Sequence, residues 1–179
     1  MRAVVVYESM YGNSRAIAEA IATGLDEAFD VHVLPVAAID DAALRDVDLV
    51  IAGGPTHVHT MSRARTRAAA AEAAAKPGSG LTLEPDACGV GLREWVDSAR
   101  PLPVRAGAFD TRVAGPAWLT GRASKRVARR LRRRGARLVA PPESFFVTKA
   151  NVLRAGELDR ARVWAATIAH EVLASAAAS

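Results

Sequence analysis

The sequence has few of the residues that would tie it to a membrane or to an oxidising compartment. It has one cysteine, Cys88, so no disulfide can form within the chain, which fits a reducing cytoplasm. No apolar run approaches the roughly 20 residues of a membrane span. The first apolar stretch, residues 3–7, is too short for a signal-peptide core, and no Ala-x-Ala site follows it. A cytoplasmic protein without a membrane span is the expectation. What is present has a globular balance: 179 residues, half of them hydrophobic and 24% charged. That is enough for a substantial core and predicts one domain over 1–179. Ala and Arg are used heavily, the mark of a GC-rich coding bias.

Charge is unevenly spread. Residues 1–60 carry nine acids against three bases, and residues 61–179 carry ten acids against 21 bases. Such a chain can steer an anionic partner. The run "SKRVARRLRRRGAR" concentrates this charge on a helix face opposite Val127 and Leu131. A solvated face is the plain reading, and an acidic protein partner or an anionic substrate the sharper one. No aromatics interleave the run to stack bases, so nucleic acid is not expected.

Strand and helix patterns alternate from end to end. "RAVVVYES", "VHVLPV", "VDLVIAGG", a stretch within "VRAGAFDTRVAG", and "SFFVTKA" read as strands. Helical spacing follows in "SRAIAEAIATGLDEAF", "DDAALRD", "SRARTRAAAAEAAA", "GLREWVDSA", "SKRVARRLRRRG" and the closing "GELDRARVWAATIAHEVLAS". The last of these is expected to turn Leu158, Ala161, Val163, Trp164, Ile168, Val172 and Leu173 mostly to one side. "KPGSGLTLEP" reads as an exposed loop. The alternation predicts an α/β fold, a doubly wound five-stranded parallel sheet in the order 2-1-3-4-5 with helices on both faces. Ligands of such sheets bind beyond the strand carboxyl ends, where the order reverses. The loops after strands one, three and four are therefore where chemistry is expected.

The first of these loops is "ESMYGNSRA". Unpaired N–H groups at a helix start carry partial positive charge and suit a phosphate. Gly12 lets the backbone wrap closely, and Ser9, Ser14 and Tyr11 offer hydroxyls. The loop is neither Gly-x-x-x-x-Gly-Lys-Ser/Thr nor Gly-x-Gly-x-x-Gly, which disfavours a nucleoside triphosphatase and removes the dinucleotide fingerprint. A neutral cradle suits a phosphate monoester that need not be hydrolysed. The plainer alternative is that Asn13 or Ser14 merely caps the helix.

"SMYGNS", directly after the first strand, resembles the phosphate loop of the flavodoxin family, and the likeness extends over nearly the whole chain. The resemblance implies a flavodoxin-like fold and non-covalent FMN, with its phosphate held by Ser9, Met10, Tyr11, Gly12, Asn13 and Ser14. "PTHVHTM" is similar to the Pro-Thr-x-x-x-x-Met loop of flavodoxin-like quinone reductases. By position it implies that Pro55, Thr56, His57 and Val58 line the flavin. The third loop, "VAGPAWLTGRA", stands where the family covers the other ring face, which implies contacts from Ala114, Gly115 and Trp118.

His57 and His59 lack the Cys or carboxylate that would complete a metal set, so no metal is expected. No residue stands out as an acid–base catalyst: Asp110 reads as a hydrogen-bonded strand-end carboxylate, and Cys88 has no second Cys for dithiol chemistry. Three functions follow. The first is an FMN-binding electron carrier between a reductase and an acceptor. The second is an FMN-dependent NAD(P)H:quinone-type oxidoreductase acting on a quinone-like small molecule. The third is a flavodoxin-fold binding protein without flavin. The basic second part is expected to raise the flavin potential above that of an acidic flavodoxin, and residues 62–100 are long enough to build a homo-oligomer contact.

Overall fold

The computed structural model describes residues 1–57, 59–97, 101–102 and 104–177. Its centre is set by β-branched runs. β1 (Arg2–Tyr7) and β3 (Leu49–His57) are flanked by β2 (Asp30–Pro35) on one side and β5 (Arg105–Val113) on the other, all parallel. Side chains alternate across the sheet with period two. Ala3 and Val5 pack with α1 (Asn13–Leu25) and α6 (Glu157–Ala177), whereas Val4 and Val6 face α3 (Leu92–Val96) and α5 (Ala123–Arg133). The central residues of β1 and β3 are inaccessible to solvent.

The sheet order is β2-β1-β3-β5, completed at its edge by two short strands. This is the expected doubly wound order. The expected fifth strand is divided: β6 (Arg137–Leu138) pairs with Arg105 and Ala106 of β5, and β7 (Glu143–Val147) pairs with Phe109–Val113. Pro141 and Pro142 lie between them, and a proline has no N–H to donate to a ladder. A further strand, β4 (Thr60–Met61), doubles back antiparallel on the end of β3. Helix α2 (Ala64–Ala74) follows it, and the four-residue helix α4 (Ala117–Thr120) precedes α5.

Two local expectations are corrected. "DDAALRD" is not a helix: residues 41–46 are turns, and the only helical turn nearby among the described residues is 3₁₀, at Val36–Ala38. Asp40 Oδ1 accepts the Ala43 N–H at 2.7 Å, and Asp46 is left-handed with φ 54°. Short acidic side chains compete for backbone donors in this way, and turns gain at the expense of helix. In α6, Leu158, Val163 and Leu173 are exposed, while Ala161, Ala165, Ile168, Ala169 and Val172 form the buried stripe. Small residues on that stripe let α1 approach so closely that a Cβ on Gly24 would lie 2.4 Å from the Arg162 carbonyl oxygen.

Candidate functional site

The loops after β1, β3 and β5 meet at one end of the sheet around a cleft of about 180 Å³. Its walls bring together Ser9, Met10, Tyr11, Asn13 and Ser14 from the first loop and Pro55, Thr56 and His57 from the second. Thr111, Arg112, Val113, Val147 and Asn151 complete it. Val58 lies outside the described residues.

The first loop is built around Gly12, which sits left-handed at φ 89° immediately before α1. No side chain caps the helix. Asn13 instead donates through Nδ2 to the Asn151 carbonyl at 2.8 Å, and Ser14 Oγ shares a 2.7 Å hydrogen bond with Thr111 Oγ1. The capping alternative therefore does not describe this helix, and its first-turn amides keep their anion-binding character. Ser9 Oγ accepts the Gly12 N–H at 3.1 Å, which leaves the Ser9 hydroxyl proton available to donate. Tyr11 and Met10 are turned to other work. The Tyr11 hydroxyl donates to the Ala70 carbonyl at 2.8 Å, and Met10 packs with Ala70 and Ala87. The segment after α2 thus folds back onto the loop, with Glu84 N–H donating to the Met10 carbonyl. Its Glu84 carboxylate leans toward Gly12 and is met by Arg15 at 3.2 Å.

The second loop is the β3–β4 hairpin, in which His59 is left-handed at φ 67°. Burial, and then the Arg67 charge, hold the His57 imidazole below its ordinary range, so it is neutral at pH 7. Met61 belongs to the core beneath, 2% exposed. The third loop is tied to the second by an Ala123 N–H donated to Thr56 Oγ1 at 3.0 Å and by a bridge between His59 and Gly121. Ala114 and Gly115 follow β5 directly, outside the cleft lining. Trp118 stands on α4 at 83% exposed, with Leu119 beside it, and neither is among the residues that line the cleft.

Thr111, Arg112, Val147 and Asn151 were not singled out by reading the chain. Thr111 and Arg112 do carry a legible signal, being the last polar residues of a strand that ends at the switch point. Asn151 carries none, and only the structure shows it at φ 59° beside the cleft.

Two carboxyls lie just below the site. Glu8 accepts the Leu92 N–H at 2.7 Å, and Asp110 accepts the Ser124 N–H at 2.6 Å. Burial pushes both above the ordinary carboxylate range, against those hydrogen bonds. A carboxyl whose folded pKa is raised keeps its proton after the unfolded chain has lost it, so stability falls as pH rises from about 4 through the folded value. Asp110→Asn removes its share of that loss. In urea titrations its advantage over the wild type is expected to grow between about pH 4 and pH 7. An offset that stays constant with pH contradicts the assignment.

A parallel sheet of this order, with helices on both faces and a cleft at its switch point, defines the flavodoxin-like class of α/β proteins. Comparison with known proteins agrees. The family model described as a flavodoxin domain matches residues 4–67. The chain is similar to a flavodoxin from the domain Archaea, with 19% identity over 97% of this chain and 99% of that one, at a TM-score of 0.64. It is also similar to flavodoxin 1 of Bacillus cereus, with 18% identity over 95% and 98% of the two chains and a TM-score of 0.64. A flavodoxin of Streptococcus pneumoniae TIGR4 matches with 19% identity over 98% and 99%, at 0.62. No curated protein matches the sequence. These likenesses give the chain a flavodoxin-like fold.

Proposed function

We propose that the chain binds FMN and carries electrons between a reductase and an acceptor. The observation that carries this reading is the uncapped start of α1 behind left-handed Gly12, with the Ser9 hydroxyl beside it and the cleft in front. These donors fit a phosphate monoester, and the cleft in front of them gives a flat ring a place beside it. The first-turn amides and Ser9 bind the phosphate. Pro55, Thr56, neutral His57, Arg112 and Val113 line the cleft beside that phosphate. Bound FMN supplies one- or two-electron chemistry, so the chain need provide no nucleophile. Its residues orient the ring and limit water.

The partner that fits best is an acidic protein surface. Lys125, Arg126, Arg129, Arg132 and Arg133 are exposed on α5, whereas Arg130 is held by Asp97 at 2.6 Å. The N-terminal end of α5 adjoins the cleft through Ala123, so a partner on this face reaches the redox centre. Charge of one sign accelerates encounter with the opposite sign and is screened by salt.

The oxidoreductase reading is favoured by the "PTHVHTM" hairpin, although Met61 is buried in the core and does not reach the cleft. The two readings separate in one assay. FMN-loaded protein mixed with NADH or NADPH and a quinone, without a reductase, is expected to oxidise the nucleotide no faster than free FMN. Sustained turnover well above that control replaces the carrier with the enzyme.

A further inference from the structure

Arg112 is the second-to-last residue of β5 and lines the cleft, yet it is only 8% exposed. Its Nη1 donates to the Gly115 carbonyl at 2.9 Å and to Thr120 Oγ1 at 2.6 Å. Its guanidinium carbon lies 4.8 Å from the centre of the Phe146 ring. Its Nε is buried with no hydrogen-bond partner. Among the described residues no carboxylate forms an ion pair with it. The acids near enough to act on it are Asp110 and Glu143, and Arg122 adds a second positive charge. Asp110 is engaged with the Ser124 N–H and Glu143 with Arg160 at 2.7 Å.

A guanidinium is always charged, and burying a charge without a counter-ion is expensive. Two neutral hydrogen bonds and an aromatic face offset part of that cost without neutralising the charge. The compensating anion is not supplied by the chain, and the cleft is the direction from which one can come. Resting on the FMN reading above, we propose that Arg112 is the cleft's anion-stabilising residue, pairing with the negative charge that the flavin ring acquires on reduction. Two electrons and one proton delivered to a neutral ring leave it with one net negative charge. An Arg at this wall favours that form over the oxidised one. A substrate carboxylate offers the same chemistry from a second source.

The competing role is structural: through Gly115 and Thr120, Arg112 pins the third loop. The test measures the affinity of the chain for oxidised FMN and, under dithionite, for reduced FMN. Variants are Arg112→Gln, Arg112→Lys and Thr120→Val. In Arg112→Gln, reduced FMN is expected to bind about tenfold less tightly while oxidised FMN changes by less than about threefold. A tenfold selective loss corresponds to a midpoint about 30 mV more negative for a two-electron couple. Arg112→Lys keeps the charge and recovers most of the loss. Thr120→Val breaks a pinning bond without touching the charge and leaves the ratio of the two affinities unchanged. Equal weakening of both forms in Arg112→Gln, or the same pattern in Thr120→Val, overturns the proposal in favour of the pin. Benzoate added to the oxidised holoprotein is expected to leave its spectrum unaltered. A benzoate shift that vanishes in Arg112→Gln moves the charge to a substrate and overturns the flavin assignment. If wild-type chain binds no oxidised FMN, the flavin reading itself fails, an outcome distinct from all of these.

Discussion

Gly121→Ala is expected to lower stability by about 2–4 kcal/mol and to weaken FMN binding more than tenfold. That range joins the strain of an L-residue at the extended, positive-φ geometry of Gly121 to the cost of overpacking. Gly121 is at φ 78°, and a Cβ there would lie 2.1 Å from His59 Cα and 2.4 Å from its carbonyl carbon. These are backbone atoms, so no rotamer change relieves the contact. The second and third loops must part, which also draws Ala123 from Thr56 and opens the cleft. Gly78→Ala is the control. Gly78 has φ 74° with nothing within 4 Å of an added Cβ, so it suffers the strain without the clash. Urea denaturation and quenching of FMN fluorescence check the pair. If the two variants are equally stable and bind FMN alike, the loops are not locked together as described.

Gly53→Ala carries the second large effect, again about 2–4 kcal/mol, from forced repacking of a full core. A Cβ on Gly53 would sit 2.3–2.5 Å from three atoms of the Phe109 ring. Phe109 is inaccessible to solvent and packs edge-on against Phe145 with centroids 6.2 Å apart, so the ring has nowhere to go. The affected pair lies where β3 and β5 run into the cleft, three residues before Thr56 and Arg112 respectively. Combining Gly53→Ala with Phe109→Leu is expected to recover at least about 1 kcal/mol relative to the sum of the single losses, because residues in contact do not behave additively. Strict additivity in denaturant contradicts the contact.

The order of the sheet was legible because the valines of β1 and the "LVIAGG" of β3 can be satisfied only by burial on both faces. The strand-to-helix turn at Ser9–Ser14 was legible because an excess of hydroxyls beside Gly12 has no use in a plain turn. The edge was less so. β6 is two residues long, and prolines separate it from β7, so no periodicity marks it. The Asp-rich 40–46 stretch had helical spacing, but its side chains take the backbone donors first. Trp118 is legible as an aromatic near the cleft, and it stands exposed on α4 without lining the cleft. Arg112 went unremarked, because an Arg among so many looks like a solvated one until its burial is known. The length of residues 62–100 suggested a contact between copies. Part of that segment covers the chain's own first loop through Ala70, Leu83 and Glu84.

On the proposed reading, the amides of the α1 start and the Ser9 hydroxyl grip a terminal phosphate. Titrating the purified chain with FMN and, in parallel, with riboflavin tests it most directly, since the two ligands differ only in that group. FMN is expected to bind, and riboflavin to bind at least about a hundredfold more weakly, the loss of close to 3 kcal/mol of charge-assisted hydrogen bonding. Equal affinity for the two, or no binding of FMN, would contradict it.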